Sequence, residues 1–360
     1  MTTATTAPPD DRYYLLEAPL NRALVHLAVP MMAAVIVGVL YNLINAGFIG
    51  SLGSTPLLAA IAFGLPLTGL VMAVGGVFGT GGSTAISRYL GELETATPQE
   101  ADQLRTKVRA YSAFTIWGAA IVGAVVAVAG LVLLHPLVTL LGANGDAFAP
   151  TSAYVSVLLA GTPVLAVAFA IEQLVRSEGA AKASMIAIIA STVANLALDV
   201  LLILVLHWSV AGAALAIVLS NVVTVVYLAG YLHRRSPELR IGLRWFRPDL
   251  ATAKEVFGVG VSELLMSSFL VVSALVFNNI AVAYGDALLA AFGIVQRIVQ
   301  IPEMLAMGVA LGAMPLLATT VGAGLRRRAH AALLHSSVWI AVIVLVFAVP
   351  LFAFGTQALG

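Results

Sequence analysis

Residues 210–232 read VAGAALAIVLSNVVTVVYLAGYL, and residues 233–254, which follow, read HRRSPELRIGLRWFRPDLATAK. The first stretch carries no charge and is long enough to cross a hydrocarbon core as a helix, which takes about 20 residues. The second holds six of the chain's 18 Lys and Arg, namely Arg234, Arg235, Arg240, Arg244, Arg247 and Lys254. An apolar span closed by a basic loop is the signature of a helix that ends on the cytoplasmic side of a membrane.

The same alternation extends in both directions. Apolar stretches of spanning length occupy 23–50, 57–86, 113–134, 153–171, 183–206, 210–232, 256–284, 287–321 and 331–354. The loops after the first, third, fifth and seventh of these hold no Lys or Arg. Positive charge gathers instead in the N-terminal tail (Arg12, Arg22), at Arg88, Arg105, Lys107 and Arg109, at Arg176 and Lys182, in the loop quoted above, and at Arg326, Arg327 and Arg328. The positive-inside rule then places the tail and these loops in the cytoplasm. The predicted molecule is an all-α polytopic membrane protein, with nine spans and a cytoplasmic N-terminus. Strands of a membrane barrel would be about ten residues long and alternating, and no such pattern is present.

Composition agrees. The chain is 61% hydrophobic and 10% charged, with a mean hydropathy of +1.02. No cysteine is present, which removes disulfides, thiolate metal sites and cysteine nucleophiles from consideration. The glycine-rich second span has no Walker lysine, and no Ser-His-Asp spacing recommends His135, His207, His233, His330 or His335. A membrane protein without enzymatic activity, a resident cofactor or a nucleic-acid partner is expected. The basic loops read as orientation signals and as contacts with lipid headgroups.

A weak internal repeat is visible. Leu57-Leu58-Ala59-Ala60 recurs as Leu288-Leu289-Ala290-Ala291, and the same offset of 231 carries Gly81 onto Gly312 and Gly91 onto Gly322. The predicted organisation is a tail (1–22), a first lobe of six spans (23–232), a cytoplasmic inter-lobe loop (233–255) and a second lobe (256–360). Repetition after six spans preserves orientation, a parallel repeat about an axis along the membrane normal. The second lobe would then hold six spans where three are present, so three further helices are expected at roughly 381–463 by the same offset.

Several segments carry a family resemblance: Tyr41-Asn42-Leu43-Ile44-Asn45 through Gly50, the glycine-rich run from Gly75 to Gly91, Arg176-Ser177-Glu178-Gly179, Asn195-Leu196-Ala197-Leu198-Asp199 and Thr320-Val321-Gly322. In order and spacing they resemble the multidrug and toxic compound extrusion (MATE) transporters, nearest the bacterial branch related to the DNA-damage-inducible protein F. The resemblance implies two six-helix lobes about a central cavity that opens alternately to each side, exchanging protons or sodium for amphipathic, often cationic drugs. Where many members carry an acid late in the first span, this sequence has Asn45.

The intramembrane polar residues define the candidate site. A carboxylate inside an apolar span is expensive unless it is protonated or partnered. Asp199 is such a residue, and Asn195 shares its helix face one turn earlier. Asn42 and Asn45 fall at a similar depth on the first span, so these four residues form the expected coupling-ion site, through sodium bound by oxygen ligands or through protonation of Asp199. Asn42 and Asn221 read equally as packing groups between helices. Gln296, Gln300 and Glu303 make one stripe in the eighth span with Arg297 beside it. Together with Glu263 and Asn221 they are the candidate cavity residues, and for Arg297 and Glu303 satisfaction of bundle neighbours is the competing reading. Two rival functions are a lipid-linked oligosaccharide flippase, which would need a strongly cationic cavity, and an inert scaffold.

Overall fold

The computed structural model describes residues 11–51, 55–282 and 286–358, with the side chains of most residues in 42–59, 267–298 and 351–358 outside the described set. Eleven α-helices follow one another along these residues: α1 (Asp11–Leu16), α2 (Leu20–Ser51), α3 (Thr55–Leu93), α4 (Pro98–Val132), α5 (Leu134–Leu140), α6 (Phe148–Ser177), α7 (Ala181–Asp199), α8 (Ser209–Arg235), α9 (Leu250–Val282), α10 (Asp286–Gly322) and α11 (Arg326–Ala358). Eight of them contain stretches long and apolar enough to cross a membrane. The expected span 256–284 falls on α9, a continuous helix of 33 residues, much of which lies outside the described side chains.

The helices overrun the apolar stretches at the basic end, for local reasons. The stretch 98–112 is helical although it is charged, because the Thr97 N–H donates to Glu100 Oε2 at 2.9 Å and Pro98 supplies a preset first turn. α6 stops where Gly179 takes φ +85°, a left-handed conformation that glycine adopts without Cβ strain. Beyond Asp199 the chain widens into a π-helical turn, Val200–Val205, in which Leu206 N–H reaches back to Leu201 O at 2.9 Å.

Lipid gives no hydrophobic drive for one helix to prefer another, so close approach at small residues carries the packing. Large apolar side chains such as Val125, Val128, Val342 and Val346 accordingly remain on the outside. Inside the first bundle, α3 lies on α4 and α6, and α6 on α8. Two further crossings join this bundle to α9 and α10. Gly81 of α3 sits against the Val256 carbonyl of α9, and Gly260 of α9 sits against the Val77 carbonyl of α3. Gly312 of α10 lies on Ala28 of α2. Gly91 meets Thr319 and Gly322 meets Arg88, and the offset of 231 carries Arg88 onto Thr319, so that contact maps onto itself. All these crossings lie in the half of the bundle nearer the basic loops.

The basic segments themselves meet at one end. Arg12 of α1 approaches Glu94 at 3.5 Å, and Arg328 at the start of α11 donates to the Ala18 carbonyl at 2.8 Å, tying the tail to the last helix. The linker 236–249 is fastened to the first bundle along its length: Ser236 Oγ donates to Glu178 at 2.7 Å, Arg105 pairs with Glu238 at 3.3 Å, Trp117 Nε1 donates to the Ile241 carbonyl at 3.0 Å, and Phe246 stacks on Phe114. Arg176, read from sequence as a loop charge, is instead 5% exposed within the last turn of α6. There it donates to Ser184 at 2.7 Å and approaches Glu172 at 3.7 Å. The apolar run ends five residues before Arg176, but the helix continues between neighbours that enclose the guanidinium.

Candidate functional site

Asp199 closes α7 and is 2% exposed, and Asn195, one turn before it, is 5% exposed. Both face α2, and Asn195 also reaches α8. Tyr41 Oη of α2 donates to Asn195 Oδ1 and approaches Asp199 Oδ2 at 3.5 Å. Asn195 Nδ2 in turn donates to Ser220 Oγ of α8 at 3.2 Å, and that hydroxyl donates to the Ile217 carbonyl at 2.9 Å. A chain of polar contacts therefore crosses three helices. Its phenolic hydrogen is committed to Asn195, and 3.5 Å is the outer limit of a hydrogen bond to Asp199. Tyr41 is nevertheless the one hydrogen-bond partner of Asp199 among the described residues. The carboxylate is buried with oxygen lone pairs left for a small cation or a proton, in the company of the Asn195 and Tyr41 oxygens.

The π-helical turn begins at the residue after Asp199. Such turns are rare and recur beside functional sites. The helix-to-helix turn that follows is also unusual, with His207 at φ 54° and Ser209 at φ 53°.

The other sequence candidates are placed unevenly. Asn42 and Asn45 lie on α2, but their side chains, with those of Gln296 and Arg297, lie outside the described residues. Asn221 donates to the Ile217 carbonyl of its own helix at 2.8 Å, which occupies it within α8. Gln300 and Glu303 are exposed on α10, and no described contact joins them to the α7 cluster. Glu263 folds over Gly76 of α3, where an added Cβ would sit 2.8 Å from its Cγ, so it belongs to the α3–α9 crossing.

Sequence reasoning missed Tyr41 and Ser220. Tyr41 stands one helical turn before Asn45 on the same face, which was the available signal. A second unforeseen cluster seals the basic end. Arg88 and Tyr89 of α3 and Tyr111 of α4 converge on Glu255 at the start of α9, with Tyr89 Oη donating at 2.7 Å. Burial pushes the Glu255 carboxyl up, but the two phenols and the guanidinium outweigh it and hold the group below the ordinary glutamate range. A cavity of about 610 Å³ opens between α3, α9, α10 and α11, with Arg88 and Glu255 of this cluster and Thr84, Ser336 and Ser337 in a wall that is otherwise apolar, as at Ala310, Met314 and Leu317.

Comparison with known proteins assigns the family. The MatE family model matches residues 30–201 and 260–360. The multidrug export protein MepA of Staphylococcus saprophyticus is 37% identical over 306 residues, which cover 85% of this chain and 66% of that protein. Among solved structures, a MOP superfamily transporter from Pyrococcus furiosus, whose binding pocket of reverse polarity has suggested a different function, superposes with a TM-score of 0.86 at 25% identity over 98% of this chain and 75% of that one. A multidrug resistance MATE family transporter in an outward-facing conformation superposes at 0.86 with 24% identity over 98% and 77%. The chain belongs to the multidrug and toxic compound extrusion family. It spans 66% of the length of the curated relative it matches.

Proposed function

We propose that the chain forms the greater part of a cation-coupled exporter of amphipathic, often cationic compounds, working by alternating access from a bacterial inner membrane with the basic end in the cytoplasm. Asp199 is the coupling-ion residue in this reading, with Asn195 and Tyr41 beside it and Asn42 and Asn45 supplying further oxygens. The observation that carries it is a carboxylate 2% exposed, set among apolar helices and given one long hydrogen bond. Leaving such a group ionised is costly, so it favours either a proton or a bound cation, and each would be released when the site is rehydrated. MepA is a multidrug export protein by name, which supports drugs as the transported class. The glycine crossings of α9 and α10 at the basic end, Gly81 on Val256, Gly260 on Val77 and Gly322 on Arg88, support a state closed towards the cytoplasm.

The test is cation-driven transport of a lipophilic cation such as ethidium into proteoliposomes, by a version extended to the length of the curated relative and carrying Asp199→Asn. Coupled transport should be lost while ethidium binding persists. Transport that remains coupled to an imposed proton or sodium gradient in that variant would refute the assignment.

A further inference from the structure

A separate cavity of about 490 Å³ lies between the last turns of α8 and the linker that returns beneath it. Ala229 and Leu232 make an apolar wall, His233, Arg240 and Arg244 make the rim, and Trp245 closes one side. No carboxylate lines it. Among the described residues neither Arg240 nor Arg244 makes an ion pair. Arg240 donates, among the described residues, to the Ser236 and Leu239 carbonyls, at 3.0 and 3.4 Å. Arg244 lies over the Trp245 ring at 5.7 Å, and Arg109 lies over the same ring at 5.2 Å. The Trp245 indole N–H and Arg109 Nε are buried donors with no acceptor. Glu238, the acid nearest in sequence, is taken by Arg105. His233 and Arg240 also border an adjoining cavity, where Asp11 and Glu178 stand among the basic residues, whereas Arg244 and Trp245 belong to the acid-free cavity alone.

The position of this cavity selects the ligand. α8 is apolar up to Leu232 and basic from His233 onward, which sets the cavity at the boundary between hydrocarbon and water, where Trp is favoured. Val222, Val226, Ala229 and His233 follow one another along a single face of α8, and Val222 and Val226 are exposed. That face is an apolar track running from the cavity into the bilayer. A cavity that offers donors without acceptors and continues into such a track fits an anion with acyl chains.

We propose that this cavity is a specific site for an anionic phospholipid, with its phosphodiester on Arg240 and Arg244 and its chains along the Val222–Val226 face. The site requires only that α8 crosses the membrane, so it stands apart from the role of Asp199. A lipid seated there bridges α8 and the linker.

The purified 360-residue chain in nonionic detergent is titrated with phosphatidylglycerol and, separately, with phosphatidylcholine of the same acyl chains, and bound lipid is read by native mass spectrometry. Phosphatidylglycerol should bind more tightly. Each arginine at a membrane surface is worth about fivefold, so R240Q/R244Q should weaken phosphatidylglycerol by about 30-fold. R326Q/R327Q removes two exposed arginines from the start of α11 and should leave binding unchanged. R240K/R244K, which keeps the charge, should retain most of the binding and guards against misfolding. Equal binding of the two lipids, or equal loss in the two glutamine double variants, would overturn the proposal. So would displacement of phosphatidylglycerol by millimolar inorganic phosphate, which would make the cavity a site for soluble anions.

Discussion

Gly258 and Gly260 lie two residues apart on α9 and face different surroundings. An alanine Cβ at Gly260 would land on the backbone of Val77, with the carbonyl carbon at 2.8 Å and Cα at 3.0 Å. Carbon atoms in contact rest at about 3.5–4.0 Å, so α9 would have to withdraw by at least about 0.7 Å, which forfeits roughly a quarter to a half of the dispersion energy along the crossing. Backbone cannot swing aside as a side-chain tip can, so the overpacking penalty of about 1–3 kcal/mol applies. At Gly258 nothing lies within 4 Å, and Gly258→Ala carries only the helical preference for alanine, about 1 kcal/mol in favour. If the α3–α9 crossing exists only while the basic end is closed, Gly260→Ala shifts the closed-to-open equilibrium by about 5- to 150-fold. The absence of cysteine makes the measurement direct. Spin labels at T95C and A251C, both exposed at the basic end, report the separation of α3 and α9. A longer-distance population should grow in Gly260→Ala and not in Gly258→Ala, with thermal stability ordered Gly258→Ala above wild type above Gly260→Ala. Indistinguishable distance distributions in the two variants would refute the claim that backbone contact at Gly260 holds the end shut.

Tyr41→Phe removes the donor to Asn195 and the hydroxyl beside Asp199, and should cost about 1–3 kcal/mol, read as a lowered unfolding temperature in detergent. An unchanged temperature would show that the phenol does not hold the pair together. For Glu255 the folded state binds the proton less tightly than the unfolded chain, so its cluster contributes fully above the ordinary glutamate value of 4.5 and loses that contribution as the pH falls through the depressed folded value. Stability measured from neutral pH downward should therefore decline in the wild type through this window. Glu255→Gln should begin lower at neutral pH and decline less, and an identical slope in both would place the acid sensitivity elsewhere.

The spans were legible because a helix in lipid must satisfy its own backbone and therefore announces itself as a long apolar run. Asp199 and Asn195 were legible for the converse reason, as costly groups in such a run. Their partners were not. Tyr41 is amphipathic and reads as ordinary span filling, and Ser220 is small enough to pass as packing, so only the approach of α2 and α8 to α7 reveals them. Arg176 illustrates the limit of charge counting: a basic residue near the end of an apolar run signals a boundary whether it faces water or, as here, Ser184 and Glu172. Sequence also gave no sign that the linker 236–249 is packed, because Trp117, Phe114 and Arg105, which hold it, lie more than a hundred positions earlier. The π-helical turn after Asp199 was invisible for another reason. VLLILV has the composition of any apolar helix.

The fastened linker bears on mechanics. Its anchors leave only the few residues between Phe246 and the start of α9 at Leu250 to flex, and the glycine crossings sit close to the same level. If α9 and α3 tilt against one another while the basic end stays closed, these crossings are the fulcrum of a lever. Thr55 stands 26 residues from Gly81 on α3, about 39 Å along the helix at 1.5 Å per residue. A tilt of about 10° about that fulcrum would carry the far end by about 7 Å, wide enough to admit an aromatic ring, while backbone within one turn of the fulcrum shifts by about 1 Å.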